Sequence, residues 1–225
     1  MLRRLAPLTV TALLSLGALA GCSGNDDGNQ QSNDPSQTPT SETTESDEPY
    51  LPVPDGVELT EQGSELAVGE SAVIAWQPRQ NLVGVLDIDV TRLEQTSFAE
   101  SFQGWDVKAE QKKKVRPYFV RATVTNRGET NLSGRLVPLY AVDSADALVE
   151  PTKFTDDFKP CPGGTLPKGF SRDDTAKLCL VYLIAPGQKL TGATFRPTTD
   201  FDAITWTGEI QRIEQPDKDK KKGNG

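Results

Sequence analysis

The chain of 225 residues contains no histidine. Without an imidazole, Ser-His-Asp and Cys-His catalytic arrangements are excluded, as are most zinc and haem sites. No Ser-x-x-Lys or Gly-x-Ser-x-Gly motif stands in for them. The pair Gly163-Gly164 lies between Pro162 and Thr165 with no helix expected after it, so it does not read as a phosphate-cradling loop. Cysteine is scarce: Cys22, Cys161 and Cys179 are the only three, too few for a zinc site once histidine is missing. The N-terminal apolar run, Leu5 to Ala20, falls short of the about 20 residues that a permanent membrane helix needs. No window longer than about ten residues shows helical periodicity. Nothing in these absences leaves room for a cofactor, and none is expected.

What is present begins at the N-terminus. Arg3 and Arg4 precede the apolar run, and Leu19-Ala20-Gly21-Cys22 closes it. A basic start, a short apolar core and small residues before a cut are the layout of a bacterial secretory signal. The rest of a twin-arginine motif is missing, so the general secretory route is expected. The Leu-Ala-Gly-Cys stretch resembles the lipobox of bacterial lipoproteins. The resemblance implies that residues 1–21 are removed and that Cys22 becomes a diacylated N-terminus. The protein would then be anchored to the outer face of the cytoplasmic membrane through a diacylglyceryl cysteine. The alternative is an ordinary signal peptide with an incidental cysteine. Cleavage removes two arginines and no acid, taking the formal charge from −8 to −10. Such a chain repels nucleic acid and anionic head groups, which excludes a nucleic-acid partner. The anchor is therefore expected to be covalent, and two acyl chains hold where one is marginal.

With Cys22 committed to lipid, Cys161 and Cys179 remain as an even pair in an oxidising compartment, which reads as a disulfide. Residues 22–56 form an acidic linker of Ser, Thr, Asn, Gln, Gly, Pro and acids. From Ser23 to Pro54 it carries Asp26, Asp27, Asp34, Glu42, Glu45, Asp47 and Glu48 and no base. Such a composition cannot offset its ordering entropy and is expected to stay disordered. Residues 215–225 read as a disordered charged tail in which Lys218, Lys220, Lys221 and Lys222 are solvated rather than a nucleic-acid patch.

Residues 57–214 are long enough for one domain with its own core. The pattern there is β. Ala72–Trp76, Val83–Leu93, Tyr118–Thr125, Leu136–Val142, Leu148-Val149, Leu178–Ile184, Ala193–Arg196 and Ala203–Thr207 read as strands. In the second of these, Leu86, Ile88 and Val90 alternate with Asp87, Asp89 and Thr91. Thr96–Phe102 has room for one helical turn. Many short strands separated by turn signals predict an all-β antiparallel sandwich, with a closed barrel as the other option. Phe154–Arg172 breaks the rhythm as a long loop rich in Asp, Pro and Gly, and a disulfide would pin it to the sandwich.

Tyr118-Phe-Val-Arg-Ala-Thr-Val-Thr-Asn-Arg-Gly128 resembles the central strand and turn of secreted bacterial proteins with a telokin-like immunoprotective extracellular domain. The lipobox, the linker, the paired cysteines and Cys179-Leu-Val-Tyr-Leu-Ile-Ala-Pro-Gly-Gln188 are similar to actinobacterial lipoproteins of that group. The resemblance covers about Val68 to Trp206 and implies an immunoglobulin-like fold. The group shares no enzymatic activity that would carry over.

Acids cluster at Asp87/Asp89, Asp143/Asp146, Asp156/Asp157 and Asp173/Asp174. Paired carboxylates serve glycosidases or bind calcium, yet no spacing signature accompanies them, and solvated strand faces explain them. Lys112-Lys113-Lys114 reads as a solvated loop that protects an edge. Trp76 and Trp206 read as core anchors, and Trp105 as a ring in a loop open to exposure. The expectation is a membrane-anchored module without catalytic residues, binding an envelope protein or wall component. The alternative is a small-ligand or calcium-binding accessory subunit.

Overall fold

Period-2 alternation sends one side of each strand inward, and the two sheets that result face each other across that apolar set. The computed structural model describes residues 49–213. They belong to the second of two units, 45–225; the first, 1–44, falls outside the described residues. Cys22, the linker acids and the tail lysines therefore lie outside the described residues as well.

Ten strands and two short helices follow in chain order. They are β1 Glu65–Ala67, β2 Ser71–Arg79, β3 Leu82–Gln95, α1 Phe98–Ser101, α2 Ala109–Lys114, β4 Arg116–Asn126, β5 Leu139–Asp143, β6 Leu148–Val149, β7 Thr175–Ile184, β8 Leu190–Phe195, β9 Ile204–Thr207 and β10 Ile210–Arg212. The first sheet runs β1-β9-β8-β5-β6. The second runs β10-β3-β4-β7, with β2 also paired to β3. The long strand β3 is shared at one edge: β2 covers Leu82–Asp89, and β10 covers Leu93–Gln95. The fold is an all-β sandwich.

Leu86, Ile88 and Val90 of β3 point inward, as do Val120, Ala122 and Val124 of β4 and Leu180 and Tyr182 of β7. They meet Leu139, Ala193, Phe195, Ile204 and Trp206 of the other sheet in one buried cluster. A bulge between Val90 and Arg92 inserts one residue and returns Leu93 to the core side. The Trp206 indole donates to the Glu70 carbonyl at 2.8 Å, and the Tyr182 hydroxyl donates to the Leu139 carbonyl at 2.8 Å. These two bonds let large side chains with polar tips lie fully inside.

Three features correct the sequence reading. The sandwich is not purely antiparallel: β1 pairs parallel to β9, and β10 parallel to β3. Both strands are three residues long, too short to show a period. The segment at Leu136 is not yet strand. Pro138 has no N–H for a ladder, so β5 begins at Leu139, and Leu136 makes a lone bridge to Thr165. Lys112-Lys113-Lys114 lies in a helix rather than a loop. The run Ala-Glu-Gln-Lys-Lys-Lys is made of strong helix formers, and the Gln111 side chain accepts the Lys108 N–H at 3.3 Å. The expected turn near Thr96–Phe102 is α1, capped by Ser97, whose Oγ accepts the Glu100 N–H.

The outer edge of β2 is covered by the chain that precedes β1. The Tyr50 hydroxyl donates to the Ala75 carbonyl and accepts the Ala75 N–H, both at 3.2 Å. Its ring meets Phe201 edge-on at 5.9 Å. Thr60 pairs with Val73 in the same way, through its N–H and its hydroxyl. An edge so satisfied offers no template for strand addition.

Candidate functional site

The outer face of the second sheet carries the features that a core does not require. At β7, Cys179 points outward, away from the sandwich interior, and is joined by a disulfide to Cys161 with a Cα–Cα distance of 4.9 Å. Three backbone bonds lay the irregular loop along the β7 edge. The Thr152 N–H donates to the Val181 carbonyl at 2.7 Å, and Gly163 and Cys179 exchange bonds at 2.8 and 3.1 Å. Gly164 follows with its backbone directly on β7, where a Cβ would stand 2.6 Å from Leu180 Cδ2.

The pinned loop deposits Phe154 and Phe158 on the sheet. The Phe158 ring lies 4.7 Å from Phe102 and 6.0 Å from Phe119. Trp105 meets Phe154 at 5.1 Å and Phe158 at 5.4 Å, both edge-on. With Cys161, Cys179 and Val181 these rings form a second apolar cluster, separate from the core. Trp105, left open to exposure by the sequence, is half-buried at its rim. Trp76 and Trp206 are core residues, as expected.

A charged pair sits under the same loop. Glu94 is 5 % exposed and receives the Arg121 Nε at 2.7 Å, with Arg92 at 3.5 Å. Arg121 also lies over the Phe119 ring at 5.9 Å. Neither the Glu94–Arg121 pair nor the aromatic cluster was expected from the sequence. The available signal was an apolar Phe119 among the polar alternates of β4.

Between the loop and the strands is a shallow cleft of ≈ 190 Å³, floored by Cys161, Leu180 and Val181 and bordered by Leu136, Phe154 and Asp156. Drug-sized ligands occupy sites of about 300–1,000 Å³, so this cleft suits a single side chain. Leu136, 43 % exposed, stands at its edge.

The acid pairs go to separate places. Asp87 is held by Arg127 at 3.0 Å, and Arg127 reaches Asp173 at 4.0 Å. Arg172 pairs with Asp173 and Glu129, which completes an exposed network at one end of the second sheet. Asp89 lies beside Asp87 on the strand; partial burial and then the Asp87 charge hold its carboxyl above the usual range, and its Oδ1 has no partner. Asp143 is buried, and its Oδ1 accepts the Ala145 and Ala147 N–H groups at 2.9 and 3.0 Å, closing the turn to Asp146. Asp156 and Asp157 are exposed at the cleft, and Asp174 Oδ2 accepts the Ser171 N–H. Among the described residues no three His, Cys, Asp or Glu side chains are grouped to hold a metal ion. The calcium-binding alternative thus gains no observation in its favour.

No protein-family model matches the chain, and no curated protein matches it. Among solved structures, a secreted protein from Mycobacterium tuberculosis, MPT63, aligns with a TM-score of 0.44 and 15% identity, over 66% of this chain and 100% of that one.

Proposed function

We propose that the protein is an extracytoplasmic lipoprotein, anchored through Cys22, whose sandwich is a non-enzymatic interaction module for an envelope protein or wall component. The observation that carries this reading is the loop from Thr152 to Gly164. It is pinned by three backbone bonds and by a disulfide, yet it ends in a cleft of ≈ 190 Å³ with an exposed leucine at its edge. A rigid loop that presents a small apolar notch suits contact with one anchoring side chain of a partner. The disulfide supports an oxidising compartment, in keeping with the secretory signal.

The test places a photo-crosslinking residue at position 136 and, as a control, at position 148, where another leucine is exposed on β6. A discrete adduct from 136 and none from 148 supports the reading. The catalytic or metal reading wins if Asp87→Asn, Asp89→Asn, Asp156→Asn or Asp157→Asn reproduces the deletion phenotype on folded protein while Trp105→Ala and Leu136→Ser do not.

A further inference from the structure

Residues 108–116 hold five bases, Lys108, Lys112, Lys113, Lys114 and Arg116, against one acid, Glu110. In the remaining described residues acids outnumber bases, 21 to 13. All five cations are exposed, and none takes part in an ion pair among the described residues. Arg121 on the outer sheet face, and Arg127 and Arg172 at the far end of the sheet, are by contrast neutralised by carboxylates. No other stretch of nine described residues holds as many bases, and among the described residues these five have no carboxylate partner.

That place is the end of the second sheet where β3 stops and β4 starts, tied by the Thr96 N–H to the Pro117 carbonyl at 3.2 Å. Helix α2 projects there between the half-buried Val107 and Val115. β10 brings Arg212 to the same end, since it stands opposite Gln95, and Gln95 opposite Tyr118. Charges separated by more than a Debye length of about 8–10 Å scarcely feel one another in physiological salt. The net −8 of the chain therefore does not decide what this cluster attracts.

We propose that α2 with Lys108 and Arg116 is a docking surface for anionic phospholipid head groups, which lays the sandwich on the membrane that holds Cys22. The proximity argument rests on the lipoprotein reading: from Cys22 to Pro49 the chain spans at most about 95 Å, so the domain never leaves the neighbourhood of the bilayer. The chemistry favours a lipid surface over a soluble polyanion. Trp105 and Val107 precede the helix, and the part of the half-buried Trp105 ring that Phe154 and Phe158 leave open beside the lysines suits the headgroup layer. Each lysine that reaches an anionic surface strengthens attachment roughly fivefold.

The test uses the full chain reconstituted in vesicles of about one-third phosphatidylglycerol in phosphatidylcholine, or of phosphatidylcholine alone. Lysines are acylated briefly and read by mass spectrometry. Lys177 is the internal reference, because it lies opposite Thr123 while Arg116 lies opposite Ile184, about 23 Å along β7. Labelling of Lys112, Lys113 and Lys114 is expected to fall at least about threefold with phosphatidylglycerol and to recover in about 500 mM salt, with Lys177 unchanged. In the Lys112→Gln/Lys113→Gln/Lys114→Gln variant, Lys108 should lose its protection. Equal labelling in both vesicles overturns the proposal, and so does protection by soluble polyphosphate without protection by phosphatidylglycerol. Unmodified Cys22 in protein from the host, with the vesicle effect intact, removes the anchor and keeps the surface. Lipidated Cys22 with equal labelling does the reverse.

Discussion

At the residue scale, the outer sheet face is decided by pairs that carry charge into a nearly dry place. Glu94 is buried under the loop and depends on Arg121. Arg121→Ala strips that carboxylate of its nearer cation and leaves only the exposed Arg92 at 3.5 Å, and is expected to lower stability by about 2 kcal/mol in urea unfolding, below the range for a fully broken buried pair because Arg92 remains and Arg121 keeps contact with water. Arg121→Ala together with Glu94→Gln should recover part of that loss, since the stranded charge is gone. Asp89 works in the opposite sense. Its folded carboxyl titrates above the unfolded value, through burial and then the charge of Asp87. A raised carboxyl pKa favours the folded state while the group is protonated, and that advantage is lost as pH rises through the folded value. Asp89→Asn should therefore be more stable than the parent at neutral pH, and the two should converge as pH falls below the ordinary carboxylate range. Parallel unfolding curves across that range check the sign.

At the element scale, β7 is the strand on which the two apolar layers meet. Leu180 and Tyr182 belong to the core, while Cys179 and Val181 belong to the outer cluster. The disulfide connects this strand to the irregular loop across a separation of 18 residues. Loop closure of that size is worth about 3 kcal/mol in the chain-entropy picture, so Cys161→Ala with Cys179→Ala should lose that much. The same variant should expose the segment around Phe154 and Phe158 to protease before the rest of the domain, because only edge backbone bonds and the small ring cluster then hold it to the sheet. In the opposite sheet, Gly192 of β8 has the Trp206 carbonyl 2.6 Å from where a Cβ would stand. Backbone cannot yield as a side chain does, so Gly192→Ala should displace β8 from β9 and cost about 2 kcal/mol or more, read as a fall in the urea midpoint at unchanged slope.

At the scale of the whole molecule, the proposed anchor at Cys22 and the domain are expected to be separable. Cys22→Ala should abolish lipid labelling and leave the protein unprocessed or shed into the medium. The folded sandwich should be unaffected, with the same urea midpoint, because its main buried cluster is built from residues between Ala72 and Trp206, far along the chain from Cys22. Full retention with carbonate-washed membranes in that variant would mean that something other than the cysteine holds the chain there.

Much of the sandwich was readable from composition and period. Leu86, Ile88 and Val90 in β3 and Val120, Ala122 and Val124 in β4 had to share a face, because strand side chains alternate whatever the neighbours are. Two cysteines left over once Cys22 is read as lipidated had to find each other or remain free, and the absence of histidine closed whole reaction classes. The three-residue strands carried no period to read. The bulge at Val90–Arg92, which returns Leu93 to the core, depends on the partner strand and not on local preference. The candidate site was the least readable. Phe98, Phe102 and Trp105 are some fifty residues from Phe154 and Phe158; the first group sits on a single helical turn and the loop after it, the second on an irregular loop. Local sequence encodes backbone preference and alternation within an element. Which irregular segments converge on one face, and which charge is left without a partner, is determined by contacts distant in sequence, and only the folded chain supplies them.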